Sequence, residues 1–225
     1  MKKYLTKDMY KRIIMTVCGV MIAGFSVGMF DFSDLGVDPF QVLAHGIWLK
    51  TPITFGTLYT IVNIIMLVGV FIVDKKKIGL GTLINIFLTG YAADFSLHIW
   101  ETLIPNPTFA VKFCFLLMGI VIMCFASALY FTADLGVSTY DAVALVLSEK
   151  QTKVKFQYCR IATDLICVII GFLLGANISA GYTHIGTIVT AFFMGPLIAF
   201  FNRIVAIPLR YGKKGKPGSD EKKEG

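Results

Sequence analysis

The sequence predicts an all-α membrane protein, in which six transmembrane helices form two inverted three-helix repeats, each with a short half-helix after its first span. Three observations predict this class. Hydrophobic residues make up 56% of the 225-residue chain and charged residues only 16%, with a mean hydropathy of +0.74; a soluble domain carries roughly 25% charged residues. The phrase DLGVDPF, beginning at Asp34, returns 100 residues later as DLGVSTY, beginning at Asp134. The lysines and arginines, finally, gather in alternate gaps between the apolar runs.

The elements follow in order. Six stretches reach the ~20 residues a bilayer crossing needs, near 13–32, 53–73, 79–100, 109–131, 156–176 and 183–207. Between them lie turn-forming residues: Asp31 to Asp38, DKKK at 74–77, PNP at 105–107 and GANISAG at 175–181. The basic leader MKKYLTKDMYKR precedes an apolar run too long for a signal-peptide core, with no small-residue cleavage site after it, so a retained span is expected. Residues 208–225 form a basic, polar tail whose composition predicts disorder.

Orientation follows from the cations. Lys2, Lys3, Lys7, Lys11 and Arg12 lead the chain; Lys75, Lys76 and Lys77 fill the second gap; Lys150, Lys153, Lys155 and Arg160 fill or border the fourth; seven more lie from Arg203 onward. Of the 21, only Lys50 and Lys112 fall on the other side. This bias predicts a multi-pass protein of the cytoplasmic membrane with both termini in the cytoplasm. The net charge of +7 therefore reads as a topology signal, and a nucleic-acid partner is not expected.

The repeat extends beyond its phrase. Residues 18–43 align with 118–143 without a gap, matching Gly19 with Gly119, Ile22 with Ile122 and Phe25 with Phe125. GTLINIFLTG at 81–90 aligns with GTIVTAFFMG at 186–195, and Asn63 falls opposite Asp164. Residues 1–108 and 109–207 thus read as two units of three spans. A unit with an odd number of crossings ends on the far side, so the second copy is predicted upside down.

Within each phrase, Gly36 and Gly136 suit a backbone with positive φ. Asp38-Pro39 is a helix-start signal, and Ser138 with Asp141 resembles a capping box. Each start is followed by about 12 residues before the next break, roughly 18 Å of helix and too short to cross. On the first half-helix Asp38, Gln41 and His45 share a face. The polar N-termini are candidates for holding a polar or anionic group, against the plainer reading that Asp34, Asp134 and the caps only close loops.

Polar residues inside spans are the second clue, because lipid penalises them. Asn63 and Asp164 lie near mid-span, and Asn85 and Asp94 share the third span. Arg160 precedes Asp164 by one helical turn. Two accounts of Asp164 stand: an ion pair with Arg160, or a desolvated acid that trades a proton during transport. The candidate substrate-binding set is Asp34, Asp38, Gln41, Asn63, Asn85, Asp94, Asp134, Ser138, Asp141 and Asp164. The three histidines show no metal-ligand spacing, and the five cysteines, odd in number and without a CxxC, read as small buried hydrophobes. Trp48 and Trp100 sit near span ends, as an aromatic belt places them. No nucleotide loop or nucleophile set is present in the sequence, so neither a cofactor nor catalysis is expected.

At DLGVDPF, GTLIN and DLGVSTYD the chain resembles the YczE/YyaS-like bacterial integral membrane proteins, related to the YitT group, over roughly residues 13–205. The resemblance implies a small multi-span protein with a glycine-threonine-x-x-asparagine span ending in glycine and an acid, matched by Gly81, Thr82, Asn85, Gly90 and Asp94. Pro39 and Phe40 match a proline-aromatic-acid element, but Gln41 stands where an acid is expected; the second copy keeps Asp141 and lacks the proline. The resemblance implies location and fold and carries no substrate.

The functional expectation is a secondary-type transporter of a small polar or anionic molecule, with proton coupling and a homodimer both compatible with it. The rival is a non-transporting membrane scaffold or regulatory partner; a channel is weaker, since no ring of charges is visible.

Overall fold

A computed structural model describes residues 2–53, 55–75, 78–150, 155–176 and 183–212, and every described regular element is helical. In chain order these are α1 (Lys2–Ser33), α2 (Pro39–Trp48), α3 (Phe55–Val73), α4 (Leu80–Leu103), α5 (Phe109–Ala133), α6 (Thr139–Lys150), α7 (Phe156–Leu174), α8 (Ile185–Phe201), a π-helical turn (Asn202–Ala206) and α9 (Ile207–Tyr211). Five stretches are long and apolar enough to cross a bilayer: Asp8–Ser33 of α1, all of α4, α5 and α7, and Ile185–Tyr211. The apolar part of α3, Ile61–Val73, is shorter. The short α2 and α6 sit where half-helices are expected, each after the span that follows a chain or half-chain start.

The centre of the molecule is the pair α1–α5. Arg12, near the start of α1, donates through Nε to the carbonyl of Ala133 at 2.8 Å and pairs with Asp134 at 3.6 Å. Lys112, near the start of α5, pairs with Asp34 at 3.0 Å. Each helix's beginning thus meets the other's end, and the two run antiparallel. α4 closes on α1 through the small residues Ala92, Ala93 and Ser96, with Ser96 Oγ donating to the Phe25 carbonyl at 2.7 Å. Small side chains let backbones approach, which is how helices gain packing energy where lipid supplies no hydrophobic drive. α8 packs on α5 around Leu116, Ile120, Cys124, Met194 and Ile198.

The remaining helices are held more loosely to that pair. α2 lies along α7, where a Cβ at Gly46 would overlap the Gly171 backbone and a Cβ at Gly171 would overlap the Val42 carbonyl. Glycine at both positions is what allows the two backbones to touch. α3 packs mainly on α6 and presents Ile64, Ile65, Val68 and Ile72 outward.

Three expectations need correcting. Cys18 and Cys114 are exposed, while only Cys124, Cys159 and Cys167 are buried; both exposed residues lie on apolar stretches, where an outward position faces lipid rather than core. Arg160 is buried at 4% exposure and ion-paired inside the protein, so it is no topology signal. Trp100, half-buried near the end of α4, packs edge-on against Phe25 and Phe115 and donates to Ser96 Oγ at 3.0 Å, so it keeps its expected place near a span end. Helix continues past position 208 to Tyr211. Pro208 cannot donate a backbone hydrogen bond and its ring crowds the carbonyl of Ile204, which accounts for the π turn just before it. The rest of the expected tail, 213–225, and most of GANISAG lie outside the described residues.

Candidate functional site

The repeated phrase forms two equivalent loops. Asp34 and Asp134 end α1 and α5 in the left-handed region, at φ 50° and 56°, and Gly36 and Gly136 follow at 112° and 103°. A left-handed residue just past a helix is a common terminator, and the second positive-φ position suits glycine. Their reversed backbones expose carbonyls to a partner. Gly81 N donates to Leu135 O at 2.6 Å, and Thr82 Oγ1 to Val137 O at 2.9 Å. Gly186 N donates to Leu35 O at 2.9 Å, and Thr187 Oγ1 to Val37 O at 2.7 Å. The Gly-Thr pair opening α4 therefore clips the second loop, and the Gly-Thr pair opening α8 clips the first. Each copy of the phrase is bound by the other half of the chain.

The clipped loops deliver two helix starts to one place. Asp38 caps α2, accepting from Phe40 N at 3.0 Å and Gln41 N at 3.2 Å. Ser138 caps α6, accepting from Asp141 N at 3.1 Å and donating to Asp141 Oδ2 at 2.5 Å. The rings of Phe40 and Tyr140, equivalent positions in the repeat, stack with centroids 5.1 Å apart and an interplanar angle of 20°. The amino ends of α2 and α6 thus meet, with their positive helix-dipole ends converging.

Beneath the junction lies a buried ionic network. Arg160 Nε reaches Asp164 Oδ2 at 3.1 Å, and its Nη1 pairs with Asp141 Oδ1. Tyr140 donates to Asp164 Oδ1 and Tyr130 to Asp141 Oδ2. The Arg160 guanidinium carbon also lies 4.5 Å from the Tyr140 ring centroid, a cation–π contact. Asp164 is 0% exposed, and Arg160 and Asp141 are likewise buried. Two carboxylates thus share one guanidinium. Two helix N-termini contribute about half a positive charge each, which about offsets the one negative charge the network has in excess.

A family model described as a family of unknown function, DUF6198, matches residues 10–203. The chain belongs to the DUF6198 family. It is similar to an uncharacterised protein of Haemophilus influenzae, 29% identical over 198 residues, covering 88% of this chain and 86% of that one. It is also similar to two Bacillus subtilis proteins. The uncharacterised protein YyaS is 27% identical, covering 83% of this chain and 90% of its own length. The uncharacterised membrane protein YczE is 23% identical, with 81% of each covered. No solved structure matches. The resemblance carried by DLGVDPF, GTLIN and DLGVSTYD therefore holds, and together with the apolar helices it makes this DUF6198 chain a membrane protein.

The predicted residues divide into three groups. Asp38, Ser138, Asp141 and Asp164 come together at the junction. Asn63 joins its edge, accepting from Thr139 Oγ1 at 2.6 Å, and Gln41 lies on the first turn of α2. Asp34 and Asp134 stand apart at opposite ends of the α1–α5 pair, with side chains 78% and 64% exposed. Asn85 is half-buried and Asp94 exposed on α4, and neither makes a hydrogen bond or ion pair with the network or with another described residue. Sequence reading missed Tyr130, Tyr140 and the second partner of Arg160. The match of Phe40 with Tyr140 was the available signal for the stacked pair; nothing in the local sequence signals Tyr130, which reaches Asp141 only through the tertiary fold. Among the described residues no group of three or more His, Cys, Asp or Glu is arranged to hold a metal.

Proposed function

We propose that this protein is a secondary-type membrane carrier whose substrate site is the junction of the two half-helices. The observation that carries the proposal is the buried Asp141–Arg160–Asp164 network beneath two converging helix N-termini. A membrane scaffold has no use for such a group, which is costly to bury and belongs where polar cargo must be met away from water. On this reading α3 is a sixth crossing, α2 and α6 are re-entrant, and residues 1–108 and 109–207 are inverted repeats. The antiparallel α1–α5 pair, the reciprocal clips and the paired salt bridges Arg12–Asp134 and Lys112–Asp34, offset by 100 residues, support that architecture. The cation bias supports cytoplasmic termini. No reaction chemistry is assigned to the site.

The charge arrangement narrows the cargo. At the start of α2 Asp38 takes the Phe40 and Gln41 N–H groups, and at the start of α6 Ser138 takes that of Asp141, which leaves an anion few donors there. The one cation of the network is already held by two carboxylates, which favours a neutral polar or cationic solute over an anionic one. The test is a thermal-unfolding screen of the purified full chain against small polar, cationic and anionic metabolites, because a ligand of the folded state raises the midpoint by mass action. A neutral or cationic hit should lose its shift in Asp141→Asn. Hits confined to anions would reject the charge argument, and a hit indifferent to Asp141→Asn would move the site elsewhere.

A further inference from the structure

A second cavity lies away from the junction, at the end of the α1–α5 pair where α5 finishes. It holds about 490 Å³ between the end of α5, α6, the start of α7 and the π turn, with Phe131, Phe156 and Ile198 among its apolar walls. That size suits a small molecule or a lipid headgroup. Its charged lining is Arg203, Arg210, Asp134 and Glu149. The two acids are already engaged: Asp134 by Arg12 at 3.6 Å, and Glu149 by a partner of its own. The two arginines are not fully used. Arg203 is exposed and makes no hydrogen bond or ion pair with a described residue. Arg210 spends Nη1 on the Thr132 carbonyl, yet its Nε is buried with no acceptor. A buried charged donor left unmade is costly and calls for an acceptor.

Two further features set this cavity apart. Its wall includes the π turn Asn202–Ala206, and π turns concentrate at functional sites. The corresponding cavity at the other end of the α1–α5 pair, about 670 Å³, has the opposite character: Asp31, Asp34 and Glu101 against the single cation Lys112. Arginines therefore line the cavity at one end only.

We propose that Arg203 and Arg210 hold a phosphate-type anion in this cavity, from the headgroup of an anionic phospholipid or from a soluble phosphate. Guanidinium groups match phosphate oxygens in geometry as well as charge. The site is separate from the junction and does not depend on transport.

The test uses the purified full chain in neutral detergent. Its unfolding midpoint is titrated with phosphatidylglycerol, phosphatidylcholine and inorganic phosphate at matched ionic strength, and retained phospholipid is counted by native mass spectrometry. Phosphatidylglycerol should give a saturable rise and phosphatidylcholine none. A rise with phosphatidylglycerol alone assigns the anion to a lipid; a matching rise with inorganic phosphate assigns it to a soluble phosphate. Arg203→Gln, which removes no internal hydrogen bond, should weaken apparent affinity roughly tenfold, in line with one lost charge-assisted contact. Lys50→Gln, beyond the end of α2, should change nothing. Arg210→Gln should weaken binding further, and its ligand-free midpoint reports the separate loss at Thr132. Absence of a saturable rise with either anion, or a rise unchanged in Arg203→Gln, overturns the proposal.

Discussion

Arg160 is the residue on which the junction turns, because two carboxylates depend on it. Removing one member of a buried ion pair leaves the other charge uncompensated, at a cost of about 3–5 kcal/mol. Arg160→Ala strands both Asp141 and Asp164 and should fall at or beyond the top of that range, or prevent accumulation of folded protein. Asp164→Asn keeps an oxygen for the Tyr140 hydroxyl and leaves Arg160 paired with Asp141, so its cost should be nearer the ~1–3 kcal/mol of an impaired buried hydrogen bond. Denaturant unfolding in detergent measures both, with Asp164→Asn the variant expected to survive. Equal losses in the two would mean that Arg160 serves Asp164 alone and that the Asp141 arm adds nothing. Of the two accounts of Asp164 open at the sequence level, the ion pair is the one the geometry makes. Helical spacing exposed that pair because its members are four residues apart; Asp141, nineteen residues from Arg160, has no such local signature.

The unit of assembly among the elements is the clip between a Gly-Thr helix start and the loop of the other half. Thr82→Val and Thr187→Val each delete one hydroxyl donor and leave a carbonyl, Val137 or Val37, short of a partner. Each should cost about 1 kcal/mol, and the two should add, because the clips lie in separate loops. Gly136→Ala should be far worse: it demands a φ of 103° from alanine and sets a Cβ 2.6 Å from Thr82 Oγ1. Gly90→Ala meets no atom within 4 Å of its new Cβ and should stay within roughly 1 kcal/mol of the parent. Thermal midpoints of the four variants decide the matter; a mild Gly136→Ala beside a damaging Gly90→Ala would refute the clip as the structural need behind the repeated glycine. Both clip motifs were legible as repeats, and both half-helices were legible from Asp38-Pro39 and Ser138 with Asp141. That a motif in one half serves the loop of the other was not legible. Alignment shows which positions are equivalent, whereas hydrogen bonds between equivalent positions depend on how the two copies cross.

For the whole molecule, the arrangement of the halves decides whether the junction is reachable from both sides of a membrane. The span boundaries were legible within a few residues, because hydropathy and flanking polar residues fix them locally. Orientation rests on loop cations and on one geometric fact: Asp34 and Asp134 occupy opposite ends of the antiparallel α1–α5 pair, each answering a cation at the start of the other helix. If α1 and α5 each cross once, those ends lie in different compartments. In a background with all five cysteines replaced, Asp34→Cys and Asp134→Cys should therefore react with a membrane-impermeant maleimide from opposite faces, Asp34→Cys from outside intact cells and Asp134→Cys only after permeabilisation. Both native side chains are well exposed, so access is not limiting. Either change also removes a salt bridge from a left-handed residue, and Asn106→Cys provides a second reporter beside Asp34, in the exposed turn before α5. It should label with Asp34→Cys. Labelling of both loops from outside would place the two phrases in one compartment, and α2 and α6 could not then descend from opposite faces to a shared site. Labelling from opposite faces leaves each loop held by the opposite half through its clip and its salt bridge. A carrier that exposes its junction alternately would then have to loosen one clip at a time, so Thr82→Val and Thr187→Val should bias the protein toward opposite faces. The same maleimide assay would register that as opposite changes in labelling rate at cysteines placed beside the two loops.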